Sequence, residues 1–454
     1  FKDRCSEYSG PHKGHAKLVD GVWKSPVVSR IDTLNHDELD MNLGFTFIKD
    51  YLSVFTPPQE ALHFINFETA IRGHPDNPFI NAKEDDKSVG PLWNMKKVDK
   101  RRVFEKLGEA HYKIHPGVSV RLKEIAGRID NGYIPVILCS SSLKDEAILK
   151  KKADDAGGRL FYVPEVEWNI FLKMVFANIA SFLYTRPELS GIWAGINPGS
   201  KQWDDLFRWL VSINEKWGDL DGKKYDNHHK GIKLLLCKLL GSVAELIGYT
   251  PGEVRIVCRC VMVVFEYYLK LEGFWYKCNS RMPSGTWVTL LFNCLITIML
   301  FGMRATLLGA KYLTDYRVAA VGDDGTYSVS QKFSHIYDGI VEWYAKMGYT
   351  MTAGDKVSMV AARHYSEVSF LKRGFRKDLR MPDEKGDFLV VAPLALESIY
   401  KALVYVTGDK KIPPFERDKN AWLCAAKEMW LHGDNAYLEF LDLSRKSNLP
   451  FRSK

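Results

Sequence analysis

The longest apolar stretch of the chain, residues 287–303, contains only three polar positions, Thr289, Asn293 and Thr297. It falls short of the roughly 20 residues that a bilayer span requires, so it predicts a helix buried inside the protein. A Ser284-Gly285 turn leads into it, and Thr289 and Asn293, four residues apart, share one face. From Leu313 onward the pattern shortens to β-prone runs. Residues 316–321 and 326–330 are joined by Gly322-Asp323-Asp324-Gly325, which predicts a hairpin with an acidic tip. A helical period returns over residues 336–347, and beyond Pro382 over 392–406 and 419–432, predicting a helical C-terminal lobe. Residues 1 to about 165 are polar, with loops marked by His74-Pro75-Asp76-Asn77-Pro78 and by the charged stretch 83–87. No solenoid or propeller period and no Gly/Ser-rich or Pro-rich linker divides the chain, so one interlocked unit is expected.

Composition narrows the class. Over 454 residues, 46% hydrophobic and 26% charged positions describe a folded protein of about three domains or one multi-lobed unit, and exclude disordered, collagenous and membrane-bundle classes. The 63 Lys and Arg exceed the 55 Asp and Glu, a net +8 that favours a polyanionic partner. Eight irregularly spaced cysteines match neither a disulfide framework nor a paired zinc pattern, so reduced thiols are expected. Cys258-Arg-Cys260 reads as strand alternation or a buried helix turn. Nothing near Phe1 reads as a signal peptide and no transmembrane segment is expected; the lack of an initiator Met raises the expectation of release from a larger precursor.

Three short segments carry candidate chemistry. Adjacent carboxylates at a hairpin tip, Asp323 and Asp324, repel unless a cation neutralises them, although Asp-Asp-Gly is also an ordinary turn sequence. Mg²⁺ favours one or two carboxylates with retained waters and phosphate oxygens, so a further Asp is needed. Asp221, with Asp226 five positions on, is the favoured candidate, and Asp219 shares its strand face and stays open as a ligand. Thr289 and Asn293 need partners on an apolar helix, whether substrate, one another or backbone.

The order of these segments resembles a picornavirus-like RNA-dependent RNA polymerase: Asp221-x4-Asp226, then Ser284-Gly285-x3-Thr289-x3-Asn293, then Gly322-Asp323-Asp324. Lys144-Asp145-Glu146 with Lys150, Lys151, Lys152 and Arg159 resembles that family's basic nucleotide channel, and the run from Gly348 to Lys356 resembles the segment after its acidic hairpin. Phe370-Leu371-Lys372-Arg373-Gly374-Phe375 resembles its primer grip, and Ser88-Val89-Gly90-Pro91 its template-entry loop. Val321 stands where the family usually has Tyr, and Ala147 and Gly158 depart from its basic motif.

The resemblance implies an α+β right hand: fingers at 1–190, palm at 191–229, a fingers insertion at 230–278, palm again at 279–378 and a helical thumb at 379–454. Its palm would be an antiparallel sheet backed by helices. It implies two Mg²⁺ ions, with Mn²⁺ an acceptable substitute, held by Asp221 and Asp323 with Asp324 in support. One ion would activate the primer 3′-hydroxyl and the other would grip the triphosphate. Asp226 and Asn293 would read the ribose 2′-hydroxyl, with Ser284, Gly285 and Thr289 ordering that network. Arg159 and Lys150 would meet the triphosphate, Lys356 would protonate pyrophosphate, Lys372 and Arg373 would hold the primer backbone, and Ser88 and Gly90 would lie along the template path. Implied partners are RNA template and primer, NTPs, a genome-linked protein primer and other viral replication proteins, in host cytoplasm at membrane-associated complexes. A reverse transcriptase or other palm nucleotidyltransferase, and a non-catalytic RNA-binding scaffold, are the competing readings.

Overall fold

The computed structural model describes residues 39–84, 87–108, 111–146, 148–150, 158–223, 225–229, 231–354, 359–383, 386–404 and 412–446, and the backbone of three short strands before residue 25. Nine strands matter for the site: β1 (Leu138–Leu143), β2 (Leu160–Pro164), β3 (Lys216–Lys223), β4 (Tyr267–Leu271), β5 (Phe274–Cys278), β6 (Tyr316–Val321), β7 (Asp324–Val329), β8 (Thr350–Thr352) and β9 (Arg363–His364). They form two sheets, of order β5-β4-β1-β2 and β6-β7-β3-β8, with β9 also paired to β3. Every pairing in the second sheet is antiparallel.

The helices used below are α1 (Val166–Tyr184), α2 (Gln202–Val211), α3 (Thr289–Leu307), α4 (Ile340–Lys346), α5 (Leu396–Val404), α6 (Pro414–Trp430) and α7 (Asp434–Lys446), among others. α3 is apolar on all sides and therefore sits in the main core beneath β6 and β7. With α1 it is long and apolar enough to cross a membrane, at mean hydropathies of 1.8 and 1.3, yet 78% of each is buried within the protein. Both are core helices here. Only α3 was anticipated by its apolar run.

The central strand β3 looks too polar for its place, and the fold shows why it works there. Residues 217–220 are all buried. Gly218 leaves room for the Tyr337 ring, which would stand 2.2 Å from an added Cβ. Asp219 accepts from Arg363 Nη2 at 2.6 Å and from the Ser369 backbone N–H at 3.0 Å. The buried charge of Asp219 thus has partners supplied from outside the strand, which offsets the cost of burying it.

A second, aromatic core lies on the other side of β3. Trp203 stacks on Phe375 at 5.0 Å between centroids, and Trp217 meets the same ring edge to face at 5.0 Å and 87°. Phe207 of α2 packs against Trp217 as well. Such pairs contribute about 0.5–1.5 kcal/mol each beyond area burial. They tie α2 and β3 to the 370–375 segment.

The predicted helix over 336–347 is divided. A 3₁₀ segment, Gln331–Tyr337, precedes α4, and Gly339 between them adopts φ 65°, a left-handed conformation that interrupts the helix. The helical C-terminal lobe is present, α5, α6 and α7 packing around Ile399, Ala425, Ala426, Met429 and Phe440. Cys258 and Cys260 fall on the helix Pro251–Val264, and the described cysteines are all free thiols.

One buried acid makes stability depend on pH. Glu167 on α1 accepts from Trp93 Nε1 at 2.7 Å, while its second oxygen is buried without a hydrogen-bond partner. Burial pushes its pKa from 4.5 up to about 7, opposed in part by the Trp93 bond. The folded state therefore holds a proton that the unfolded state gives up between these values. This contribution is present below about pH 4.5 and lost as pH rises through 7. Glu167→Gln should raise the melting temperature at pH 8 and leave it nearly unchanged at pH 5; equal shifts at both pH values would disprove the assignment.

Candidate active site

The β6–β7 hairpin is tighter than the sequence suggests. Val321 pairs with Asp324, so only Gly322 and Asp323 form the loop and Asp324 opens the strand. Gly322 takes φ 69°, which suits the first position of a two-residue hairpin turn. The turn is clamped from below by α3: Thr297 Oγ1 donates to the Gly322 carbonyl at 2.8 Å, and the Gly322 N–H donates to Cys294 Sγ at 3.0 Å. The Asp323 backbone is therefore positioned without help from its own side chain.

Strand register carries the carboxylates together. Gly325 pairs with Leu220 and Thr326 with Asp219, so one step further Asp324 comes opposite Asp221. Asp324 is half-buried, and its pKa rises to about 7, first through desolvation and then through the charges of Asp323 and Asp221; the Leu371 N–H, 3.1 Å from its carboxylate, acts against this. Three mutually repelling carboxylates at one point are the donor set of a hard divalent cation. Asp219 stands nearby and is bonded to Arg363 and Ser369, whereas Asp221 on the same strand acts electrostatically on Asp324. Among the described residues no three His, Cys, Asp or Glu side chains stand close enough together to hold a metal ion as they are. Lys356, like Lys151 and Lys152, lies outside the described residues.

Next to the carboxylates, Asn293 Nδ2 donates to Asp226 Oδ1 at 2.8 Å across 67 residues of sequence. Burial lifts the Asp226 pKa to about 6, the Asn293 bond lowers it and Asp323 raises it, so Asp226 senses the acidic hairpin directly. The Ser284-Gly285 turn docks on β2. Ser284 Oγ accepts from the Tyr162 N–H at 3.1 Å, and the Gly285 N–H donates to the Tyr162 carbonyl at 2.8 Å. A Cβ on Gly285 would stand 2.3 Å from that carbonyl oxygen, so only glycine fits. Thr289 Oγ1 donates to the Pro283 carbonyl at 3.0 Å, so its hydroxyl ties down the turn that carries Ser284.

Arg159, beside β2, faces the acidic centre, since Asp323 and Asp221 both raise its pKa after the larger effect of Glu146. Its guanidinium forms a two-pronged ion pair with Glu146. The charge of Lys144 acts on Asp226, and Lys150 is exposed beyond Ile148–Leu149. The Lys144 N–H donates to the Arg159 carbonyl at 2.8 Å, fixing Lys144 opposite Arg159 at the end of β1–β2, six residues before Lys150.

Leu371 and Lys372, at φ 55° and 59°, form the two-residue loop of a tight hairpin closed by reciprocal Phe370 and Arg373 backbone bonds at 2.9 Å. Lys372 is exposed at its tip. Arg373 does not accompany it. Its guanidinium makes a bidentate pair with Glu428 at 2.8 and 2.7 Å and donates to the Ala392 carbonyl, so it fastens α6 to the 370–392 segment. The Ser88 hydroxyl accepts from the Gly90 N–H at 3.1 Å, and Ser88 lines a cleft of about 540 Å³ with Asn94, Lys100 and Arg101. Gly90 is buried at φ 86°, where a Cβ would meet the Pro164 carbonyl and Glu165 Cα at 2.6 Å; it shapes the loop and offers no side chain to RNA.

A family model described as viral RNA-dependent RNA polymerase matches residues 45–441. The chain belongs to that family. It is similar to the RNA1 polyprotein of grapevine fanleaf virus (25% identity over 97% of this chain and 19% of the relative) and to the genome polyprotein of rice tungro spherical virus strain A (26%, 84% and 12%). A human rhinovirus A serotype 89 genome polyprotein is 26% identical over 66% of this chain and 13% of its own length. The chain thus spans less than a fifth of the length of these relatives. Its fold is that of a solved structure titled Sicinivirus 3Dpol RNA dependent RNA polymerase, at TM-score 0.76 and 18% identity, covering 96% of this chain and 87% of that one.

The right-hand α+β fold expected for the polymerase is therefore present. In this chain two supporting residues carried no signal in sequence. Asn169 on α1 donates to the Gly285 carbonyl at 3.1 Å and accepts from the Trp287 N–H at 2.9 Å, bridging both sides of the turn. Arg363 neutralises Asp219 beside the acidic centre. Both act across more than 100 residues of chain.

Proposed function

We propose that this chain copies RNA into RNA, joining ribonucleotides from NTPs to an RNA 3′-hydroxyl. The observation that carries the reading is that Asp221, Asp323 and Asp324 converge beside a bonded Asp226–Asn293 pair, with Arg159 facing all of them. Two Mg²⁺ ions, for which Mn²⁺ is an acceptable substitute, would supply Lewis-acid activation of the 3′-hydroxyl and neutralisation of the triphosphate and departing pyrophosphate. Asp221 and Asp323 would hold them, and Asp324, already bonded to the Leu371 N–H, would support the site. On nucleotide entry Arg159 exchanges Glu146 for phosphate oxygens, a swap between two bidentate anionic partners. Lys144 would add charge at the same mouth, and Lys372, exposed at its hairpin tip, would meet the primer backbone.

The Asp226 carboxylate and the Asn293 amide would bind a ribose 2′-hydroxyl, which both donates and accepts. A deoxyribose would leave these buried groups unpaired, and that disfavours a reverse transcriptase. The polyprotein relatives support release from a precursor; a genome-linked protein primer, other viral replication proteins and membrane-associated complexes in host cytoplasm belong to the same proposal. Extension of a primed RNA template with labelled ribonucleotides and deoxyribonucleotides, with Mg²⁺ present or chelated, tests it. Asn293→Ala should lower the ribo-to-deoxy selectivity by about 10–100-fold while the protein stays folded. Preference of the unaltered protein for deoxynucleotides would move the assignment to a reverse transcriptase, and absence of extension by folded, RNA-binding protein to a scaffold.

A further inference from the structure

Behind the Asp226–Asn293 pair lies a buried imidazole that the reaction as described does not use. His229 is fully buried in the loop between the turn Tyr225–Asn227 and the helix Lys233–Leu246, and its backbone N–H donates to the Ser280 carbonyl at 3.3 Å. Its ring lies edge to face with Tyr225 at 5.2 Å and with Phe265 at 5.9 Å. Nδ1 is 3.1 Å from the hydroxyl of Tyr349, another buried residue, which stands just before β8. Nε2 is buried, and so is Asn293 Oδ1; neither atom makes a conventional hydrogen bond among the described residues. The two side chains interact with each other.

Donor and acceptor counting leaves one arrangement. Asn293 presents its NH₂ group to the Asp226 carboxylate, so its Oδ1 must face a donor. Burial holds the imidazole neutral, with its pKa lowered to about 3, so one ring nitrogen donates and the other accepts. With the Tyr349 hydroxyl donating to Nδ1, the proton sits on Nε2 and is offered to Asn293 Oδ1. The chain of polar contacts would then run in one direction, from Tyr349 through His229 and Asn293 to Asp226. An Asn293 amide turned over by 180° would set an oxygen against the Asp226 carboxylate and an NH₂ against the imidazole N–H, two repulsive contacts.

We propose that His229, oriented by Tyr349, is a positioning residue for sugar selection: it locks the Asn293 amide so that the second Asn293 N–H and the free Asp226 oxygen are aimed at the ribose 2′-hydroxyl. This rests on the ribose reading of Asp226 and Asn293 given above. The group touches no substrate and acts only through Asn293.

The test is the ratio of kcat/KM for a ribonucleotide to that for its deoxy analogue, on a primed RNA template with Mg²⁺. His229→Leu should lower that ratio about tenfold, with the loss carried by the ribonucleotide. His229→Gln, whose amide nitrogen reaches the position of Nε2, should keep most of the selectivity, whereas His229→Asn, which reaches only as far as Nδ1, should lose it. Tyr349→Phe should show a smaller loss in the same direction. The Gln and Asn pair decides the matter if the Leu variant does not fold. A ratio equal to that of the unaltered protein in His229→Leu, equal losses on both sugars, or Gln behaving as Asn would each overturn the proposal. Asn293→Ala is measured alongside. If it loses selectivity while the His229 variants keep theirs, this inference fails alone and the ribose reading stands; if it keeps selectivity, both fall.

Discussion

Asp323→Ala should reduce nucleotide incorporation by about 10³-fold or more at saturating Mg²⁺, with RNA binding retained. The size follows from the part a metal-held carboxylate plays: removing one preorganised electrostatic element costs roughly 10²–10³-fold, and loss of a metal ligand removes several kcal/mol at once. Folding should survive because the turn is held by Thr297, Cys294 and the Val321–Asp324 pair, none of which uses the Asp323 side chain. Removing the charge also relieves Asp324, whose pKa is raised by Asp323 more than by any other neighbouring charge. Without metal the variant should therefore melt no lower than the unaltered protein. Template affinity, measured by filter binding, depends on basic groups elsewhere on a chain of net charge +8 and should change little. Incorporation within tenfold of the unaltered protein would refute the metal assignment.

Arg363→Ala should destabilise the protein by about 3–5 kcal/mol, the usual cost of stranding one partner of a buried ion pair. Asp219 is 2% exposed and Arg363 15%, so water cannot replace the lost guanidinium. The Ser369 N–H still reaches Asp219, but a single neutral donor does not balance the charge. The stranded anion also lies close enough to Asp324 to raise its pKa, so the loss is felt at the acidic centre. Urea denaturation should show a lower midpoint with an unchanged slope. Asp219→Asn added to Arg363→Ala should restore part of the loss, a non-additivity expected of contacting residues. A midpoint equal to that of the unaltered protein would show that the pair contributes nothing.

Legibility in the sequence followed locality. The apolar helix and the hairpin were readable because burial on all sides and turn chemistry leave marks within a few residues. So were Asp221, Asp226, Ser284, Gly285, Thr289 and Asn293, whose spacings reflect one strand, one turn and one helix face. Even there, the length of the hairpin loop depended on which residues pair, and Asp324 proved to be the first residue of a strand.

What the sequence by itself determined is the set of chemical groups, their order and the elements that carry them, since each depends on local periodicity and turn preference. What only the tertiary structure decided is which of two similar groups is tied to a partner from a distant part of the chain. Asp219 and Asp221 share a strand face, and a guanidinium arriving from 144 residues away pairs with the first. Lys144 and Lys150 belong to one basic run, and a strand pairing brings Lys144 into register with Arg159. Lys372 and Arg373 are adjacent, and a glutamate on α6 claims the arginine. His229 and Tyr349, 120 residues apart, carry no shared pattern at all. Charge neutralisation and hydrogen-bond satisfaction are enforced between whichever groups the fold buries together, and a linear spacing does not record that proximity.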